Sequence, residues 1–359
     1  MLCRFGENGR RGLWWRGLLV LVAAWLMACG DVSTGLETER IVAGVDLNQL
    51  FAPPTASERQ QVLDDWAMRD VAVHDVQLVA QARVVLDDVP ATLHLLRHTV
   101  VGQQHVGAVI IPDTLQMLAP VLVWLHGGDE GVRLETDVWP LADSLNLSRF
   151  VLVVPAFRGE ALVYRGFTFP AEGVRNPWDG DVDDALALLY AVWTRFSIVD
   201  TGRVVVLGID RGATSALIMA IREERIRVAI GVAGLTDFFE DFMQQVVEEA
   251  LQGTIRPIPG LSAFVEQVLV PLKEGQLSMA AARLALLRRS PVYFSERLPA
   301  GQWHHGRNDP VVAVAQAMRL DAGRPDRFQV YLYDGEGRDL MSMPGSLERI
   351  RGLLQEVIL

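Results

Sequence analysis

Cysteine is nearly missing from this chain: Cys3 and Cys29 are its two copies, and none follows residue 29. A disulfide framework and a thiol nucleophile are therefore excluded from everything beyond that point. Lysine is scarcer still, with Lys273 the one lysine among 33 basic residues, so a serine–lysine catalytic pair has little to draw on. The seven histidines end at His305, and nothing after it can supply an imidazole base. Positive charge is also short. The net charge of −11 at pH 7 argues against nucleic acid or an anionic lipid surface as a partner. There is no internal repeat and no low-complexity tract. What remains, 50% hydrophobic and 21% charged over 359 residues, fits one large folded domain with extensions.

The chain opens with a targeting pattern. Arg10, Arg11 and Arg16 form a positive region, Gly17 to Met27 an apolar one, and Leu26-Met27-Ala28-Cys29 matches a bacterial lipobox. Cys29 is then expected to be the mature, lipid-bearing N-terminus of an envelope lipoprotein, held to the membrane by that anchor alone. Gly30 in the second mature position is not the aspartate that retains lipoproteins in an inner membrane, which points to the outer one. Residues 30–90 read as a tether and N-terminal extension. Pro53-Pro54 ends the polar tether, Thr55 to Asp70 reads as a helix with Val62, Trp66 and Met68 packing, and Val71 to Val89 as one or two strands.

The chemistry starts at about Ala91. Ala91 to Val100 and His105 to Ile111 read as a hairpin. Further on, RVVVLGIDRGATSAL runs from Arg203 to Leu217: an apolar strand, then Gly208, Asp210 and Gly212, then a helix former. That is the strand–turn–helix context of a G-x-S-x-G elbow, with aspartate where the serine belongs. Pro120 to Leu125 runs into His126-Gly127-Gly128 as a strand into an oxyanion loop, and Phe150 to Val154 runs into Pro155-Ala156-Phe157-Arg158-Gly159. Trp178 to Ala185 reads as the acidic start of a helix. HHGRNDPVV, with Gly306, Asp309 and Val312, matches a late acid-bearing loop, and FQVYLYDGEGRD reaches Arg338 where that pattern has histidine.

In this order, residues 91–359 resemble the α/β-hydrolase superfamily, most closely the catalytic domain of the prolyl oligopeptidase family. The resemblance implies an α/β fold: a mostly parallel central sheet flanked by helices. It also implies oxyanion donors near Gly128 and Arg211, with no cofactor and no metal. The β-propeller that often precedes such a domain has no room here.

Asp210, Asp309 and Arg338 then hold the places of nucleophile, acid and base, and the general base that either a serine or an aspartate nucleophile needs is missing. Two readings stay open. In one, the protein is a pseudoenzyme that binds or scaffolds an unidentified envelope ligand or protein. Arg338 would bridge the carboxylates with forked hydrogen bonds, Asp210 would fill its own oxyanion donors at the helix start, and Asp309 would lie nearer the rim. In the other, the protein is an active hydrolase. It would be esterase- or peptidase-like, or Asp210 would attack carbon as in dehalogenases and epoxide hydrolases, with His304 or His305 as base.

The remaining expectations are structural. Phe238 to Arg289 reads as a helical insertion broken at Pro257 and Pro259, either a cap or ordinary packing helices. Asp179, Asp181 and Asp183 alternate as calcium ligands do, but Asp184 and Tyr190 occupy positions six and twelve, so an acidic helix start is expected. Ser215 should pack inside the elbow helix. His304 and His305 should end a strand, one inward and one outward.

Overall fold

Aliphatic and β-branched runs build the centre of the molecule. The computed structural model describes residues 39–358 apart from 117 and 336. The targeting segment, Cys29 and residues 30–38 of the expected tether lie outside the described residues. Nine strands form the main sheet: β1 His74–Leu86, β2 Val89–Val100, β3 Gln103–Pro112, β4 Ala119–Leu125, β5 Val151–Pro155, β6 Val199–Ile209, β7 Ile226–Val232, β8 Ala300–Gly306 and β9 Phe328–Tyr333. Their spatial order is β9-β8-β7-β6-β4-β5-β3-β2-β1. Pairing is parallel from β9 across to β5, while β1, β2 and β3 form an antiparallel meander that joins β5 antiparallel.

The central strands bury both faces, which is why their sequences are continuous apolar runs and not alternations. On β6, Val204 and Val206 belong to one core, and Val205 and Leu207 to the other. The first core is closed by α3 (Gly180–Arg195), α4 (Arg211–Arg222) and α5 (Asp241–Leu251), the second by α2 (Trp139–Leu145) and α7 (Ser346–Ile358). Among the described residues no helix is long and apolar enough to cross a membrane.

The N-terminal part differs from expectation. No boundary falls at residue 90: β1 pairs with β2 along its length, and the chain from Glu39 onward is one unit. The end of the expected tether is folded as well. Ile41–Val42 pairs with Val45–Asp46, and a helical turn follows in which Leu47 and Leu50 are fully buried. Helix α1, Ala56–Met68, begins at Thr55 with a capping box to Glu58. Val62 and Trp66 pack inward, but Met68, at the end of the helix, is 79% exposed and not part of the core. Val71 to Val89 yields one long strand, β1, and its last residue already opens β2.

This extension is stapled to the insertion between β7 and β8. From α6 (Met279–Leu287), Arg283 Nε donates to Glu58 Oε1 at 2.7 Å. Its Nη1 donates to the carbonyls of Gln49, Leu50 and Ala52 at 2.8, 3.0 and 2.8 Å.

Candidate functional site

The reversal between β6 and α4 is forced by two close approaches. A Cβ on Gly208 would lie 2.0 Å from the Gly212 carbonyl oxygen, and one on Gly212 would lie 2.2 Å from that of Leu125. Between them Asp210 adopts φ 52°, ψ −117°, a region that non-glycine residues rarely occupy and that costs of order 1–3 kcal/mol. The surroundings hold it there: its N–H donates to Val232 O at 2.8 Å, and its carbonyl accepts from Ala213 at 3.1 Å. The oxyanion loop comes up on the other side. A methyl on Gly127 would stand 3.0 Å from Asp210 Oδ2, so the carboxylate rests directly against that loop.

Arg338 Nη2 donates to Asp210 Oδ1 at 2.8 Å. Arg338 Nε lies 3.8 Å from Asp309 Oδ1 without a hydrogen bond. The structure thus brings Asp210, Asp309 and Arg338 together, with three departures from the sequence-based picture. Arg338 hydrogen-bonds one carboxylate, not two. Asp210 makes no side-chain capping bond to α4; its Oδ1 accepts from Arg338 instead. Asp309 is fully buried and not near the rim, whereas the side chains of Arg338 and Asp210 keep 27% and 21% exposure. Asp309 Oδ1 accepts from the amides of Val311 and Val312 at 2.8 and 3.0 Å. Burial lifts the Asp210 carboxyl above its ordinary pKa; Arg338 opposes that rise and Asp309 adds to it.

The two late histidines sit on opposite faces of β8, and both are buried because both faces of the sheet are covered. His304 Nδ1 lies 2.7 Å from Tyr333 Oη and Nε2 3.1 Å from Gln302 Oε1, and burial pushes its pKa down to about 3. His305 Nε2 donates to Val312 O at 2.9 Å and lies 3.6 Å from Asp309 Oδ2. Burial lowers its pKa too. His305 therefore backs the acid, and the cation hydrogen-bonded to Asp210 is a guanidinium.

This group is open on one side, where Arg338 lines a cavity of about 560 Å³ with Pro310, Tyr333 and Met343, and covered on the other. Trp178, Leu235, Ile258, Pro259 and Val312 meet over Asp210 and Arg338 and leave about 10 Å³, roughly room for one water. Ile258 and Pro259 come from the insertion, so at this point the insertion covers the site. Trp178 is itself held edge-on by Phe238 and Phe264, with ring centroids 5.1 and 6.3 Å away.

Sequence reasoning gave Arg211 only an amide, and missed its side chain. That side chain is fully buried under the oxyanion loop. It donates to both Asp181 oxygens at 2.7 and 2.6 Å, to Glu160 at 2.5 Å and to Asp129 at 3.1 Å. Burial pushes the Glu160 pKa up to about 7 even though Arg211 pulls it down. His126 is driven down to about 4, again chiefly by burial; its Nε2 lies 3.5 Å from Glu160 Oε2. An arginine just after the elbow turn was the available signal, since a buried cation demands carboxylates. Asp181 and Glu160 lie 30 and 51 residues away, beyond any local pattern.

The acidic run before α3 is spent on arginines. Asp179 pairs with Arg69 at 2.7 Å, and Asp183 with Arg69 and Arg222 at 3.1 and 2.7 Å. Among the described residues no group of three or more His, Cys, Asp and Glu side chains could hold a metal. Ser215 is buried within α4 and donates to Arg211 O at 3.2 Å.

No family model matches the chain, and no curated protein matches it either. Solved structures do. Acetyl xylan esterase 1 from Thermoanaerobacterium sp. JW/SL YS485 aligns with TM-score 0.57 at 18% identity, over 84% of this chain and 92% of the esterase. An acetyl xylan esterase from Paenibacillus sp. R4 gives 0.56 at 14%, over 87% and 99%. The acylaminoacyl peptidase of Pyrococcus horikoshii gives 0.53 at 14%, over 74% of this chain and 41% of the peptidase, so this chain spans less than half of it. At such identities the likeness is one of fold: the chain has the α/β-hydrolase fold.

Proposed function

We propose that this is a catalytically silent α/β-hydrolase-fold protein, prolyl-oligopeptidase-like in its loops, that works in the cell envelope as a lipid-anchored binding or scaffolding protein. One observation carries the reading: Arg338 Nη2 lies 2.8 Å from Asp210 Oδ1, in the place of the general base. A guanidinium remains protonated and has no acceptor atom, so it cannot take a proton from a hydroxyl or from water. Its hydrogen bond to Oδ1 also draws charge from the Asp210 carboxylate and so weakens it as a nucleophile. The cover from Ile258 and Pro259 supports the same view, since it leaves about 10 Å³ on its side of Asp210. Neither His304 nor His305 hydrogen-bonds Asp210, which leaves the aspartate-nucleophile reading without its base. The envelope location rests on the lipobox at Cys29, and the partner on that location: an envelope ligand or protein, not nucleic acid.

The chemical test uses p-nitrophenyl acetate, a peptide substrate and a fluorophosphonate probe. No steady-state turnover and no labelling are expected. If Asp210 still attacks a haloalkane, the ester should accumulate in a mass spectrum, because no positioned base activates water against it. Sustained turnover that disappears in Asp210→Ala would overturn the reading. For the anchor, labelled palmitate should enter the wild type and not Cys29→Ala, and equal incorporation would remove the lipoprotein assignment.

A further inference from the structure

At the end of the sheet remote from Asp210, where β7 and β8 begin, lies a cavity of about 520 Å³. Its floor is apolar, from Ala220 and Ile221 in the last turn of α4 and from Ile226. Its charged rim is Arg227, Arg297 and Arg327 against one acid, Glu224. In a chain of net charge −11 this is a local reversal of sign, and the roughly half negative charge at the C-terminus of α4 does not cancel it.

Two of the three guanidiniums are aimed by the backbone. Arg227 Nε donates to Gly202 O at 3.1 Å, and Arg327 Nε and Nη2 donate to Leu298 O at 3.1 and 2.8 Å. Among the described residues, both Nη groups of Arg227 and Nη1 of Arg327 find no protein acceptor, Arg297 has no partner, and no carboxylate comes within 4.0 Å of any of the three. The three are exposed, whereas the buried and half-buried arginines Arg69, Arg158, Arg211 and Arg283 meet carboxylates. A second cavity of about 270 Å³ shares Arg297, Glu224 and Ile221 and extends the groove to Trp66. The indole N–H of Trp66 is buried and has no acceptor.

We infer that this groove binds a phosphate monoester. The dianionic phosphate lies among the three guanidiniums, whose paired N–H groups match phosphate oxygens, and a small apolar body lies along the floor toward Trp66. The volume is that of a small-ligand site. The groove is separate from the elbow, so its failure would leave the proposed inactivity untouched.

The test is isothermal titration of the full chain in non-ionic detergent with phenyl phosphate, phenol and inorganic phosphate. Phenyl phosphate should bind saturably, more tightly than inorganic phosphate, and phenol not at all. Arg297→Gln and Arg327→Gln should each weaken binding by roughly tenfold, and Arg351→Gln, in α7, which packs on the other face of the sheet, should not change it. Raising salt should weaken the wild type. Absence of saturable binding, equal binding of phenol, inorganic phosphate binding as tightly as the ester, or unchanged affinity in both arginine variants would each overturn the inference.

Discussion

Asp309 and Arg338 stand 3.8 Å apart and do not hydrogen-bond, although they are opposite charges in a mostly buried site. The acid is held by the amides of Val311 and Val312 instead, so its loop takes no hydrogen bond from position 338. Arg338 is free to spend its one hydrogen bond in the site on Asp210.

That asymmetry predicts unequal couplings. In a cycle of Asp210→Asn and Arg338→Met, urea melts should give a coupling of roughly 1 kcal/mol. Each single cost should stay below the roughly 3–5 kcal/mol of a fully buried pair, since both side chains retain solvent contact. Asp309→Ala should be the costlier single change. It strands two amides, at about 1–3 kcal/mol each, and should combine with Arg338→Met nearly additively. A stronger coupling of Arg338 to Asp309 than to Asp210 would contradict the arrangement.

The elbow backbone, the oxyanion loop and the acid are all in place, so the silent site should be repairable. Asp210→Ser with Arg338→His puts a hydroxyl on the strained turn and an imidazole beside Asp309, and both changes shrink the side chains that fill the cleft. The double variant should react with fluorophosphonate and hydrolyse p-nitrophenyl acetate at least ~10²-fold above the wild-type background, the low end for a positioned base. Either single change should stay inert. An unreactive double variant with native stability would mean that the covering segment at Ile258 and Pro259, not the lost triad, blocks the site.

Acid should destabilise this protein earlier than carboxylates alone would. Burial holds His98 near pKa 3, below its ordinary 6.5, so as pH falls through 6.5 the unfolded chain takes a proton that the folded one refuses. That stability is fully present above 6.5 and is lost downward toward about 3, by at most roughly 1.4 kcal/mol per pH unit. Glu160 has the opposite sign. Raised to about 7, it favours the folded state below the unfolded value of 4.5, and that benefit fades as pH climbs through 7. Denaturation midpoints measured from pH 4 to 8 should show His98→Phe losing less on acidification than wild type. Glu160→Gln should lose less on going from pH 5 to 8. Parallel curves for all three proteins would refute both assignments.

Arg283 should matter beyond its own helix. Arg283→Met leaves the carbonyls of Gln49, Leu50 and Ala52 without their shared donor and Glu58 without its cation. A loss of about 2–4 kcal/mol is expected, with new protease cleavage between the Leu47–Leu50 turn and α1. Unchanged cleavage there would show that the apolar contacts of Leu47 and Leu50 hold the extension unaided.

The sequence by itself determined the parallel sheet, the elbow, the oxyanion loop and the acid loop. Each is written locally: an apolar run fully buried as a strand, a glycine where two backbones touch, an aspartate before a helix. Position 338 was legible for the same reason, as a cation in the slot after the last strand. Tertiary structure decided everything that depends on segments far apart. It made Asp309 the buried member of the group, because the covering layer and not the loop sets depth. It tied β1 into the main sheet, since strand pairing is a choice of neighbour that no single strand records. It gave the insertion a place over Asp210 through two residues of a proline-rich break. It also gathered Asp181, Glu160 and Asp129 around Arg211, because a buried charge is neutralised by whatever the fold brings within reach, at any distance along the chain.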